Sequence, residues 1–477
     1  MRVNHNISAV IANNNLLVNE DRLASSLEKL SSGLRINSAK DDPTGIAISR
    51  TMKAQIDGLN QASDNAADGD AVIDTADSVL GELTSMLQRM RELAVQGANG
   101  TNTESDLKAI QEEMDSLTEE IDRISKDTEY NTINLFDGSL ARRVYSQNAN
   151  GQANVVQMVS ITSQVQSGAY RLSDITTATQ ATYTGGTAET IGTTHGEGSI
   201  SINGVTAYID ADATADEIWQ TLQDLGESAG VTVTSSSTGT DLISGASLTF
   251  TSIEYGSGIE LNISCDSDIS SLLGIDSDVN TAGTNTTGSI YKYNENTGAY
   301  ELMDASVTAA GNTVSITARD GVSMSFIVDP DKVDASDNYI DLDVTDIGRM
   351  RLQIGANENQ IINIDIQELT SETLGIDNLN VRNQDGAARA IGNLDSALTA
   401  VNSLRARLGA YSNRLEHTEA NLDATAENMT SALSRITDVD MAEEMTTYTN
   451  MQVITQAATS VLAQANEIPE QALQLLK

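Results

Sequence analysis

The chain has 477 residues, a formal charge of −41 at pH 7 and a pI near 4.1, and only 3% of it is aromatic. That balance disfavours DNA or RNA as a partner, because phosphate contacts need clustered Lys and Arg, and it disfavours an anionic membrane surface for the same reason. The length allows about two to four domains. With Trp219 alone and Phe only at 136, 250 and 326, Ala, Leu, Ile and Val must fill the cores, which suits long helices and thin sheets.

The opening "MRVNHNISAVIANNNLLVNE" is no Sec signal peptide: Asn interrupts the apolar residues and no A-x-A site follows. No run is long and apolar enough to span a bilayer. These features predict a cytosolic chain, or one exported without a cleaved signal. Leu16, Leu23, Leu27, Leu30 and Leu34 form a helical stripe. "NSAKDDPTG" (37–45) breaks it, since the residue before Pro43 is pushed out of the helical region and Gly45 is permissive. A long heptad follows, with Met52, Leu59, Ala66, Ile73, Leu80, Leu87 and Ala94 seven apart, and Ile56, Ala62, Ala76, Leu83 and Met90 widening the seam. "GANGTN" (97–102) reads as a turn. A second helix carries Leu107, Ile110, Met114, Leu117, Ile121 and Ile124 and is expected to fold back on the first as an antiparallel hairpin. Residues 128–175 read as loop and short strands.

Composition changes over 176–346, which are rich in Thr, Ser, Gly and Asp and have only Lys292, Arg319 and Lys332 as basic side chains. Alternating runs such as "SISINGVTAYID" predict strands joined by Gly, Asn and Asp turns, interrupted by one helix over 214–228 that contains Trp219. One or two small acidic β-rich domains are expected. "MRLQIGANENQIINIDI" (350–366) reads as a short hairpin. Then Leu394, Val401, Leu408, Leu415, Leu422, Met429 and Ile436 stand seven apart, with Ala397, Leu404, Tyr411, Thr418, Thr425, Ala432 and Val439 three further on, an a/d seam on one long helix. Met451, Ile454, Ala458, Val461, Ala465 and Ile468 carry a stripe into the apolar tail, which ends with Leu473, Leu475 and Leu476.

The order is therefore helices, β-rich insert, helices. The fold class is mainly α, with paired long terminal helices forming a rod-like coiled-coil core. Expected boundaries are 1–42, 43–175, 176–346, 347–438 and 439–477. The pair formed by residues 1–36 and 441–477 offers few large apolar residues against roughly 1–2 kcal/mol of backbone entropy per residue ordered, so a lone hairpin is marginal. Burial of its outer faces by further copies of the chain would stabilise it. A seam does not reveal its partner, so completion of an intramolecular bundle fits the periodicity as well.

Both ends also resemble a known family. "LEKLSSGLRINSAKDDPTGIAIS" (27–49), "LQRMRELAVQGANGTN" (87–102), "ITDVDMAEEMT" (436–446) and "TSVLAQANEIPEQALQLL" (459–476) are similar to the terminal signatures of bacterial flagellins. The match covers about 1–145 and 350–477. "SISINGVTAYIDADATADEIWQTLQDL" more weakly resembles a βα module of flagellin inserts. The resemblance implies a self-assembling filament subunit secreted unfolded through the flagellar type III export apparatus. Its implied partners are further copies of itself, a flagellar export chaperone on the C-terminal helix, the filament cap protein and hook–filament junction proteins. It also implies recognition by the vertebrate Toll-like receptor for flagellin, through Arg89, Leu93 and Glu113 with Gln88 and Gln96 nearby, residues that would equally serve packing between subunits. A junction protein shares the terminal helices, and a secreted adhesin with a binding insert is an alternative from another class. That adhesin would need an exposed aromatic platform, and Trp219 lies instead in an amphipathic stretch.

No constellation points to catalysis, a cofactor or a metal. His5, His195 and His417 are far apart and no H-E-x-x-H occurs. "DPDKVDASDN" (329–338) lacks EF-hand spacing and its central Gly and reads as a solvated turn. Cys265 is the single cysteine, so no intramolecular disulfide forms, and it reads as a small buried hydrophobe. Insert Ser and Thr can carry O-linked glycans, but no sequence rule fixes the sites.

Overall fold

A computed structural model describes residues 6–162, 164–192, 195–237, 242–333 and 337–474, with side chains given through 468. His5 and the side chains of Leu473, Leu475 and Leu476 lie outside the described residues. Two compact units are recognisable: one holds the chain up to Asp70, Leu352–Ile362 and the chain from Arg414; the other holds Ala71–Arg351 and Asn363–Asn413.

Helix α1 (Ile7–Ser32) is capped by Asn6, whose side chain accepts from the Ala9 N–H, and stops at Gly33, where φ is 75°. Glycine takes that left-handed conformation without a Cβ penalty. The expected break at 37–45 is therefore displaced: the helix ends before it, and Gly45 lies inside the next helix. Helix α2 (Pro43–Gly97) starts with Pro43 at its first position, where no N–H is needed. The Asp42 carboxylate accepts from the Thr44 and Gly45 N–H groups at 3.0 and 2.9 Å. Helix α3 (Glu104–Asp127) opens with a reciprocal capping box between Thr103 and Asp106.

A ribbon of β1 (Glu129–Tyr130) and β2 (Ile133–Asn134) leads into β3 (Val144–Asn148), β4 (Val156–Ile161) and β5 (Gly168–Thr176). A nested module follows: β6 (Gln180–Thr187), β7 (Gly198–Ile202), β8 (Val205–Ile209), α4 (Ala215–Ala229), β9 (Val231–Ser235), β10 (Ser247–Tyr255), β11 (Glu260–Cys265), α5 (Ser267–Leu273) and β12 (Asp278–Ala282). It has its own core around Ile200, Leu222, Phe250 and Leu261, with Trp219 packed at the edge. The chain then returns through β13 (Thr287–Asn294), β14 (Ala299–Leu302), β15 (Ala305–Ala310), β16 (Thr313–Ala318), β17 (Ser323–Val328) and β18 (Tyr339–Val344).

These last strands form two sheets, β14-β13-β5-β18-β3 and β15-β16-β17-β4, around a second core of Tyr170, Leu172, Ile290, Ile316, Phe326 and Leu342. Strand pairing crosses the boundary expected at 175/176. Strands β3, β4 and β5 precede the compositional change but pair with β18, β17 and β13 beyond it. Strand pairing is non-local, and composition does not mark it. The expectation of one or two β-rich domains resolves into two cores, one inserted between neighbouring strands of the other.

The hairpin of β19 (Met350–Gln353) and β20 (Ile361–Ile364) and the short helix α6 (Ser371–Leu374) precede α7 (Gln384–Thr437) and α8 (Met441–Gln474). Along α7, Leu394, Val401, Leu408 and Leu415 are almost wholly buried. Further on, Thr425 is exposed and Ala426 buried. A straight helix drifts about 20° per heptad from a strict seven-residue repeat, so the buried line slips by one residue. Helix α7 lies antiparallel to α2, with Arg405 paired to Asp77 at 2.8 Å and Arg91 to Asp395 at 2.6 Å. The boundaries expected at 42/43 and 438/439 fall where α2 begins and just after α7 ends.

Candidate assembly surface

Helices α1 and α8 pack antiparallel along their length. Both ends of the pair are pinned by backbone. At one end Asn6 Nδ2 donates to the Ala465 carbonyl at 2.8 Å. At the other, Arg35 N donates to Thr437 O at 2.7 Å and Val439 N to Gly33 O at 3.1 Å. The Arg35 guanidinium caps the last turn of α7, donating to Arg435 O and Ile436 O at 3.1 and 2.6 Å, a cation on carbonyls that carry partial negative charge. Beside it, hydrogen bonds from Ser434 and Thr437 hold the Asp438 carboxyl below the usual carboxylate range.

The seam itself is narrow. On α1 it consists of Ala9, Ala12, Leu16, Asn19, Leu23, Ser26 and Leu30, and on α8 of Tyr448, Met451, Thr455, Ala458, Leu462 and Ala465, all buried or half-buried. Spacings of three and four put each set on one face. The many small residues bring the helices close but bury little apolar area. Of the residues expected on the stripes, Leu16, Leu23, Leu30, Leu34, Met451, Ala458 and Ala465 lie inward. Leu27, Ile454 and Val461 do not: they are 54%, 44% and 55% exposed. The reason is angular, since each stands one step of about 100° from an inward neighbour (Ser26, Thr455 and Leu462).

These three, together with Ile468 of the expected stripe, which is 48% exposed, belong to an outer surface with Ile7, Val10, Ile11, Leu17, Val18 and Val453, all exposed. The periodic reading missed it. The available signal was adjacency: in Leu16–Leu17 and Val461–Leu462 two apolar neighbours stand about 100° apart, so one faces the seam and the other is left outside. No Asp, Glu, Lys, Arg or His occurs from Ile7 to Asn19 or from Met445 to Asn466. In a chain of net charge −41, this uncharged apolar surface lacks the repulsion that keeps copies apart elsewhere.

The polar set expected at the turn between α2 and α3 is partly assembled. Arg89 bridges the helices to Glu113 at 2.8 Å and contacts Glu92 at 3.4 Å, with both acidic partners exposed. Gln88 and Gln96 are exposed on α2. Leu93 is 1% exposed and belongs to the core, since steps of three and four place it with the buried Met90 and Gly97 on one side of α2.

Elsewhere the polar groups are tied into local structure. The His195 ring lies 2.9 Å from both the Gly196 and Ala213 carbonyls, and His417 is exposed on α7. Burial pushes the Cys265 thiol up, away from a reactive thiolate. In the acidic loop, Lys332 pairs with Asp329 at 2.8 Å and Asn148 Nδ2 donates to Asp337 at 3.0 Å. Among the described residues, no three His, Cys, Asp or Glu side chains gather as a metal-ion site, and no helix is long and apolar enough to cross a membrane.

The bacterial flagellin N-terminal helical region matches residues 3–141, and the bacterial flagellin C-terminal helical region matches 391–476. A flagellin of Clostridium tyrobutyricum is 34% identical over 98% of this chain and 99% of its own length. A flagellin of Salmonella typhimurium is 33% identical over 100% of this chain and 99% of its own. Among solved structures, FliC from Burkholderia pseudomallei is 20% identical, covering 72% of this chain and 99% of its own, with a TM-score of 0.24. Two helical ends around a β-rich insert, matched over nearly the whole length, place this chain in the bacterial flagellin family.

Proposed function

We propose that the chain is the structural subunit of a bacterial flagellar filament and that it polymerises through the outer faces of α1 and α8. The observation that carries this reading is the uncharged, exposed apolar surface of the terminal pair, on a protein whose charge otherwise disfavours contact between copies. Its role is mechanical rather than enzymatic, and it works outside the cell. The same surface explains the expected partners. An export chaperone shields α8 before secretion by the type III apparatus, the cap protein guides subunit addition, and junction proteins present matching helices at the base. Electron microscopy of the purified full-length chain during precipitant-induced polymerisation tests the reading. Long filaments with a central channel are expected; a persistent monomer or a short ring with folded helices overturns it in favour of a junction protein or a secreted module.

A second reading rests on the exposed Arg89–Glu113 pair with Gln88 and Gln96. In this reading these polar side chains meet the vertebrate Toll-like receptor for flagellin, while Leu93 supports them from the core. Arg89→Ala should weaken signalling by the isolated chain; undiminished signalling overturns the assignment.

A further inference from the structure

The sheet β14-β13-β5-β18-β3 buries one side against its companion sheet, with Tyr170, Leu172, Ile290, Ile340 and Leu342 in the core. Period-two alternation turns the intervening residues to the opposite side. The register places Tyr291 beside Arg171, Arg171 beside Asp341, Asp343 beside Tyr145, and Tyr293 beside Tyr300. Five of the 12 tyrosines, at 145, 291, 293, 300 and 339, thus share one outward face in a chain that is only 3% aromatic.

The face is ordered from within. The Arg171 guanidinium carbon lies 4.1 Å from the Tyr300 ring centroid and 3.9 Å from that of Tyr339. Arg171 also forms a two-point pair with the Asp341 carboxylate at 2.6 and 2.9 Å. Tyr293 meets Tyr300 edge to face at 5.3 Å. Rings held this way lose little freedom on contact with a ligand. Tyr145 and Tyr293 are the most open of the set, at 50% and 39% exposure.

We infer that this face binds a neutral oligosaccharide. Pyranose rings offer a C–H face that stacks on tyrosine and equatorial hydroxyls that need both donors and acceptors, which Tyr hydroxyls and an Arg–Asp pair supply. The alternatives fit less well. Arg171 is neutralised by Asp341, so no excess positive charge holds an anion, and Arg171 itself fills the slot between the two rings where a cation would sit. Leu302 beside Tyr291 and Ala169 beside Asp343 are the aliphatic side chains on this face, too little for the apolar centre of a protein interface. Five strands span about 19 Å, room for a short run of sugar rings rather than one.

The test uses the full-length chain as a monomer, with maltohexaose, cellohexaose, chitohexaose and lacto-N-tetraose as probes in saturation-transfer NMR and titration calorimetry. Saturable binding of at least one probe is expected. Tyr145→Ala and Tyr293→Ala should each weaken it about three- to tenfold without changing the melting temperature. Tyr208→Ala, on β8 of the nested module and 58% exposed, should leave it unchanged. Arg171→Lys keeps the charge but loses the two-point pair, and should weaken binding as the rings lose their clamp. The proposal is overturned if no probe binds saturably, if binding survives both tyrosine substitutions, or if Tyr208→Ala weakens it equally.

Discussion

Val461→Asp separates assembly from folding. Val461 is 55% exposed on the outer face of α8, so about half of its burial energy is already spent within the monomer and the rest is available to a neighbouring copy. Full burial of such a side chain contributes about 1.5–3 kcal/mol, leaving roughly 1 kcal/mol for the contact. An aspartate there must also be desolvated on assembly without a cation, since Met445–Asn466 has none, at a cost of about 2 kcal/mol or more. The sum, about 3 kcal/mol per subunit, raises the critical concentration for polymerisation about a hundredfold. The isolated chain should barely notice, because substitutions at exposed sites usually fall within about 0.5 kcal/mol. Leu16→Asp is the counterpart: Leu16 is 9% exposed in the seam, so its replacement should loosen α1 from α8 in the monomer itself. Critical concentration is read by sedimentation and helix pairing by hydrogen exchange. An unchanged critical concentration for Val461→Asp, or a monomer as loosened as that of Leu16→Asp, refutes the two-face assignment.

Leu408→Ala should cost about 2–5 kcal/mol, because Leu408 is fully buried on α7; an unchanged thermal melt by circular dichroism would contradict the seam. Excision of 177–286 should spare both the inner sandwich and filament formation. Thr176 and Thr287 are already paired across β5 and β13, so a short turn can rejoin them; electron microscopy and calorimetry decide. Removal of 180–345 instead deletes β13 and β18 and should unfold the sandwich, a contrast that proteolysis would reveal. Stability should peak on the acid side of neutrality. Burial raises the carboxyl groups of Glu254, Asp365 and Asp377, each against a neighbouring Arg or backbone hydrogen bond. The native state therefore takes up protons first as pH falls from neutrality, and gains stability. Asp77, held down by its hydrogen bond from Arg405, and Asp438 have the opposite sign: their contribution is present above the unfolded value of 3.8 and is lost as pH falls through their lower folded values. A melting temperature that rises steadily from pH 5 to pH 8 in differential scanning calorimetry would refute this.

Local chemistry and period were enough to identify several elements before any folding was considered. The heptad from Met52 to Ala94 lies along α2, the three-and-four spacing from Leu107 to Ile124 fixes α3, and the heptads from Leu394 to Leu415 mark the buried line of α7. The terminal signatures identified the family for the same reason, since they are contiguous strings. The tertiary structure decided everything that depends on which surfaces meet. Periodicity gives a stripe but not its partner, so Leu27, Ile454 and Val461 could be assigned to the seam until α1 and α8 were seen in contact through Ala9, Ala12, Ala458 and Ala465. Leu93 could not be placed from its motif, because burial depends on what packs over a helix face. The five tyrosines are separated by up to 194 positions, from Tyr145 to Tyr339, and share a face only through the register of strands distant in sequence. The chain's sequence thus determined its helices, its turns and its kinship, all set by neighbours within a few turns of chain. Which faces are buried, which remain open for copies of itself, and where its aromatic side chains gather were decided by long-range packing, whose energy depends on partners that no local pattern names.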